Sequence, residues 1–231
     1  MVHPWVLDII RKYSLDLLLY DLEDEIPHIG TAGFTVNKSS LIEDIHFLKT
    51  FDEHVAPRLP QNFSSVLEVG IGQWIYAYAL AKFFRKYREN IPIIGIDKDV
   101  TYIDLARELI KNRKIESMSA EISDIDNWRG IYDIVINLCP NFISPDTIIT
   151  HYLGQQTPAR DLFDAISRKI SKDGLFVLGL SSPTPPIERY VEASINPFFK
   201  DIVVSYNPYA TDNSIYPIHY LVTAKKLPQE F

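Results

Sequence analysis

Val66-Leu67-Glu68-Val69-Gly70-Ile71-Gly72-Gln73-Trp74-Ile75 is the stretch that decides the fold. Val66 to Val69 reads as a short buried strand, and Gly70 and Gly72 as a tight turn after it. The spacing then predicts a helix from about Trp74 to Tyr87, with Ile75, Ala79 and Phe83 along one face. Strand, glycine turn and helix form the ligand-gripping half of a βαβ unit, because backbone without a Cβ lets a ligand come close.

Ile93-Ile94-Gly95-Ile96-Asp97 supplies the second half of the grip. It is an apolar run ending in an acid, about 25 residues on from the glycines, the spacing of a carboxylate that hydrogen-bonds ribose hydroxyls. Asp99 is better placed than Asp97 to cap the following helix, which leaves Asp97 for the ribose. A dinucleotide fold would need a small residue at position 75 to pack helix on strand, and this chain has Ile75. That argues against NAD and toward a smaller adenosyl ligand without a pyrophosphate.

These residues resemble the first motif of the Rossmann-like (class I) S-adenosylmethionine (SAM)-dependent methyltransferases, apolar-apolar-acid-apolar-Gly-x-Gly. The resemblance implies SAM as cofactor, with Glu68 near its methionine amino end and Gly70 and Gly72 beneath its methionine and ribose. Trp74 stands where the family pattern has its third glycine. Ala120-Glu121-Ile122 resembles the family's third signature, which implies that Glu121 accepts from the adenine amino group and that the Ile122 backbone amide reaches the ring. Asp124 competes for that role if the third strand runs longer, and an exposed surface glutamate is the plain alternative for Glu121. Asn137-Leu138-Cys139-Pro140-Asn141-Phe142 resembles a stretched form of the Asn-Pro-Pro-aromatic motif of amino-directed methyltransferases. By that resemblance Asn137 accepts hydrogen bonds from the target amine and Phe142 stacks on a flat substrate, so these two are the candidate catalytic residues. Asn137 is also a candidate for the cofactor pocket.

The rest of the chain fits an α/β fold. Trp5 to about Tyr20 reads as an amphipathic helix, and a second helix runs from a cap near Asn37 or Ser39 to about His54. Residues 1–60 are thus an N-terminal helical extension, whose segment 30–38 is a candidate lid, and 61–231 is the SAM-binding domain. A helix is expected over Thr101 to Lys111, a strand over Ile115 to Ala120 and another over Tyr132 to Leu138. Thr157-Pro158 opens a helix, and Lys172-Asp173-Gly174 turns the chain into a strand over Leu175 to Leu180. Asp201 to Ser205 and Tyr220 to Ala224 read as strands joined by a loop, hence antiparallel. The expected architecture is a doubly wound, mostly parallel seven-stranded sheet with an antiparallel C-terminal strand pair, the layout of the methyltransferase family over about residues 64–225.

Composition narrows the function further. Net charge is −7 and the isoelectric point about 5.4, so the chain has no broad basic footprint for nucleic acid. Cys139 is the only cysteine, which excludes an intrachain disulfide, and it reads as a packed, inert thiol. The N-terminus has no signal-peptide pattern and no apolar run approaches the length of a membrane span, so a cytoplasmic protein is expected. The six histidines show no metal-ligand spacing, so no metal site is expected. Loops at 144–156, 181–192 and 207–218 would shape an acceptor pocket, with Tyr209 and Tyr216 as walls or as residues of a self-packed loop. Together these features predict a SAM-dependent methyltransferase acting on a small molecule or protein side chain. The alternatives are a non-catalytic protein of the same fold, which would have its pocket filled by side chains such as Trp74, and an RNA base N-methyltransferase, against which the acidic balance weighs.

Overall fold

The computed structural model describes residues 4–15, 41–72, 74–138, 140–144, 147–150, 156–181, 187–210 and 218–228. Two helices come first, α1 (Pro4–Tyr13) and α2 (Leu41–His54). α1 stops at Tyr13 rather than near Tyr20 because Ser14 takes a left-handed φ of 49°, and its N–H turns back to the Arg11 carbonyl. The expected cap of α2 and the candidate lid at 30–38 lie outside the described residues, as do Cys139 and Tyr216.

Then come β1 (Val66–Val69), α3 (Ala77–Tyr87), β2 (Ile93–Asp97), α4 (Val100–Asn112), β3 (Met118–Ile122) and β4 (Tyr132–Leu138). A small sheet of β5 (Pro140–Ser144), β6 (Thr147–Thr150) and β7 (Gln156–Pro158) follows, which local sequence pattern did not predict. The chain ends in α5 (Ala159–Ser167), β8 (Ile170–Leu180), α6 (Ile187–Ile195), β9 (Phe199–Tyr206) and β10 (Tyr220–Lys226). The main sheet has seven strands in the order β3-β2-β1-β4-β8-β10-β9. β1, β2, β3, β4 and β8 are parallel, while β10 pairs antiparallel with both β8 and β9. The expected sheet is therefore the observed one.

Local differences have physical causes. α3 begins at Ala77, not Trp74, because Trp74 has a φ of 50°, outside the right-handed helical region. Pro158 rather than Thr157 is the N-cap of α5, with no side-chain hydrogen bond, because Thr157 is held in β7 opposite Ile148. The Lys172-Asp173-Gly174 turn sits inside β8, where Tyr132 pairs with Ile170 but Ile134 pairs with Leu175, so the extra residues bulge without ending the strand. β3 and β4 are joined by residues 123–131 with no helix, and α6 occupies part of the segment expected as loop.

The sheet separates two apolar cores. One holds Ile45, Phe47, Leu48 and Phe51 of α2 with Leu80, Phe83 and Phe84 of α3 and Ile103 and Ala106 of α4. The other holds Phe163 and Ile166 of α5, Val191 and Ile195 of α6, and Phe176 and Phe199 of the sheet. The helical N-terminus thus shares a core with α3, buried by the same removal of apolar surface from water.

Candidate functional site

The chain leaves β1, builds β2 and β3 outward on one side, then returns to β4 on the other. β1 and β4 therefore flank the point where strand order reverses, and ligands of open α/β sheets sit beyond the carboxyl ends of the strands there. Glu68, Gly70, Gly72, Asp97 and Asn137 all lie at or next to those ends.

The loop after β1 is shaped by left-handed residues. Gly70 has φ 69° and donates its N–H to the Ile96 carbonyl at 2.8 Å. Gly72 has φ 51° and donates to Asp97 Oδ2 at 3.0 Å. A Cβ added at Gly72 would meet nothing within 4 Å, so bare backbone faces open space. Asp97 Oδ1 accepts from the Asp99 N–H at 3.0 Å, which makes Asp97 a clamp between two loops. A carboxylate has about four lone-pair sites, so these bonds leave it acceptor capacity for a hydroxyl. Asp99 caps α4 by accepting from the Thr101 N–H at 2.8 Å, the capping role its position implied.

Trp74 turns its ring down into the core on the α3 side, where it is 2% exposed. A Cβ at Gly95 would lie 2.7 Å from its Cζ2 and Cη2, so the ring fills the notch that Gly95 leaves in β2. Its indole N–H donates to Glu68 Oε2 at 2.5 Å. Burial pushes the Glu68 carboxyl up to about 7, against the downward pull of that hydrogen bond. Trp74 thus replaces the expected glycine without covering Gly72.

Asn137 stands at the carboxyl end of β4 and is 5% exposed. Its Nδ2 donates to the Val69 carbonyl at 2.7 Å and lies 3.6 Å from where a Gly70 Cβ would be. That carbonyl can only accept, so it fixes the amide with nitrogen inward and leaves Oδ1 as the free group. Oδ1 is buried and has no hydrogen-bond partner among the described residues. Buried acceptors are nearly always paired, which makes this atom an open half of an interaction.

The remaining candidates lie on and after β3 and on β5. Glu121 lies within β3, not after it, half exposed with Arg107 Nη2 at 3.7 Å. Ile122, opposite Asp97 in register, is 52% exposed, an apolar side chain beside the ribose candidate. Asp124 is held in a turn, accepting from the Asp126 N–H at 3.3 Å. Phe142 falls on β5, opposite Ile148 in register.

A cleft that sequence pattern did not reveal lies between α2 and the segment after β9. Ile42, His46, Phe47, Tyr76, Tyr209 and Ile218 are among its walls. Of these, the sequence singles out Tyr209 alone. His46 carries no motif, and Tyr76 reads as one more helix residue. Burial lowers the His46 pKa below the ordinary imidazole value, with the Glu43 carboxylate opposing the shift, so the ring is neutral at neutral pH. Among the described residues no cluster of His, Cys, Asp and Glu could hold a metal ion, and no helix is long and apolar enough to cross a membrane.

No protein-family model matches the chain, and no curated protein matches it in sequence. Solved structures do match. A SAM-dependent O-methyltransferase from Thermotoga maritima is 17% identical with a TM-score of 0.54, over 83% of this chain and 73% of its own. A protein from Pyrococcus horikoshii is 14% identical with a TM-score of 0.54, over 94% and 99%. The geranyl diphosphate C-methyltransferase of Streptomyces coelicolor, solved with Mg2+, geranyl diphosphate and S-adenosyl-L-homocysteine, is 12% identical with a TM-score of 0.52, over 98% and 100%. The chain has the Rossmann-like class I methyltransferase fold.

Proposed function

We propose that this protein is a SAM-dependent methyltransferase whose acceptor is a small molecule or a protein side chain. The observation that carries this is the buried Oδ1 of Asn137, unpartnered among the described residues, beside the bare Gly70–Gly72 backbone at the point where strand order reverses. An acceptor atom held there fits a ligand with N–H donors, such as the methionine ammonium of SAM or an acceptor amine. Asp97 would accept from the ribose, and Ile122 would give the adenine an apolar wall. SAM supplies a methyl group made electrophilic by its sulfonium charge. The residues of the chain need only hold the acceptor in line at near-attack distance. A cytoplasmic setting goes with this function, since the single cysteine requires no oxidising compartment.

Calorimetry tests the proposal. SAM and S-adenosylhomocysteine (SAH) are expected to bind, and Asn137→Leu to weaken that binding about fivefold or more by deleting one hydrogen bond. No heat from either compound at millimolar concentration would sink it. A second reading, a non-catalytic protein of the same fold, draws on the Trp74 indole engaging the Glu68 carboxylate, which the first motif reserves for the cofactor's amino end. Under that reading, mass spectrometry of the denatured supernatant finds no adenosyl compound. An RNA base as acceptor is disfavoured by the net charge of −7.

A further inference from the structure

β9 closes the sheet on one side, and among the described residues β10 alone pairs with it. The Asn207 N–H donates to the His219 carbonyl at 2.8 Å, which fixes the phase of that ladder. Hydrogen-bonded pairs alternate along an antiparallel ladder, so Ser205 and Val203 also face β10, opposite Leu221 and Thr223. Val204 and Tyr206 therefore turn their N–H and C=O groups outward, as a template for a further strand.

Sheet edges are normally guarded by charge, bulge or cover. The opposite edge, β3, has Arg107 Nε donating to the Ala120 carbonyl at 3.0 Å, with Glu121 next along the strand. β9 is guarded only at its start. Lys200 and Asp201 are charged there, and Asp201 has a left-handed φ of 52° where the pairing with β10 shifts. Its carbonyl also accepts from Arg58 Nη2. From Ile202 to Tyr206 the strand carries no charge. Ile202 and Val204 pack on the core beneath α5 and α6, and side chains alternate along a strand, so Tyr206 shares their face. It is 60% exposed, with its ring edge-on to Tyr220 at 5.6 Å between centroids.

We propose that β9 pairs with β9 of a second copy of this chain, antiparallel about a two-fold axis at Val204, so that the two sheets join into one. A two-fold axis normal to the sheet makes identical strands antiparallel and gives both copies the same contacts. With the axis at Val204, its outward N–H and C=O meet those of the second copy's Val204. Tyr206 comes opposite the second copy's Ile202, an aromatic and a β-branched side chain on one face. Val203 comes opposite Ser205, and Asp201 opposite Asn207, so no like charges oppose each other. A foreign strand would need the same uncharged pattern, which this strand itself supplies. Each copy carries a net charge of −7, so long-range repulsion works against the contact and salt screens it. The pairing does not depend on the methyltransferase function.

Sedimentation equilibrium of the full chain tests this. Dimers are expected at about 0.1 mM chain, and more of them as salt rises. Val204→Pro removes an outward N–H that the ladder with β10 does not use, and Tyr206→Lys adds a charge to the open stretch. Each is expected to raise the dissociation constant about tenfold or more. Tyr206→Lys alters an exposed side chain, so the test survives if Val204→Pro folds poorly. Amide hydrogen exchange gives a second readout. Exchange at Val204 and Tyr206 is expected to slow as protein concentration rises, while that at Val222 of the neighbouring strand stays constant. A chain that remains monomeric at that concentration overturns the proposal, including where another protein covers the edge instead. So does a dimer that both variants retain, because its contact then lies elsewhere.

Discussion

Glu68 and Trp74 are each costly alone and compatible as a pair. A tryptophan at φ 50° is strained, and a carboxyl that is 3% exposed sits far from water. The indole N–H gives the carboxyl its partner, and burial of the ring offsets the backbone strain. In the folded chain Glu68 keeps its proton up to about 7, while the unfolded chain releases it near 4.5. Between those values the folded state binds more protons, so stability falls as pH rises. Below the window the group is neutral in both states and the penalty vanishes. Above it the penalty reaches at most ~3 kcal/mol. Glu68→Gln is expected to remove this slope, seen as urea midpoints of the two proteins that diverge between pH 4.5 and 7. Parallel midpoints would show that Glu68 ionises as in water. The acid itself was legible in the sequence, because it lies in a motif of adjacent positions. Its partner was not, since nothing in the local pattern says which way the Trp74 ring turns.

At the scale of elements, the packing of the βαβ unit depends on β2 having a notch. Gly95 gives β2 room for Trp74 and Ile71, whose Cγ2 would lie 2.8 Å from an added Cβ. Gly95→Ala is expected to destabilise the fold by ~1–3 kcal/mol, since the crowding atoms belong to buried side chains with nowhere to shift. Chemical denaturation followed by tryptophan fluorescence checks this, and an unchanged midpoint would mean that the ring does not pack there. The strands were readable as apolar runs, as was the antiparallel ending. Element ends were read less well. α3 starts late because of one left-handed residue, and β8 runs through a turn signal because its bulge is absorbed by pairing with β4. Both outcomes depend on neighbours that lie far off in sequence.

Over the whole molecule, one carboxylate ties both N-terminal helices to α3 beyond the apolar core they share. Asp52 of α2 accepts from the Tyr13 hydroxyl at 2.7 Å, from the Tyr87 hydroxyl at 3.2 Å and from Lys12, with Lys86 at 3.6 Å. It thereby joins α1, α2 and α3. Burial alone would raise its pKa, but the hydrogen bonds from Lys12 and Tyr13 and the nearby lysine charges hold it below the usual carboxylate range. Its contribution is therefore present above the unfolded value of 3.8 and is lost as pH falls through its lower folded value. Asp52→Ala is expected to speed amide hydrogen exchange in α1 while leaving β1 and β4 protected, and equal protection in both proteins would deny the fastening role. The sequence by itself determined the α/β class, the sheet with its antiparallel finish, and the placing of the acids and glycines at the strand ends, because those follow from periodicity and spacing among neighbouring residues. Only the tertiary structure decided that Asn137 Oδ1 is buried without a partner among the described residues, that Trp74 packs under the loop, and that His46, Tyr76 and Tyr209 wall one cleft. These outcomes depend on contacts as distant as Thr50 with Asn207, 157 positions apart, and no local pattern encodes which remote partner a side chain will meet.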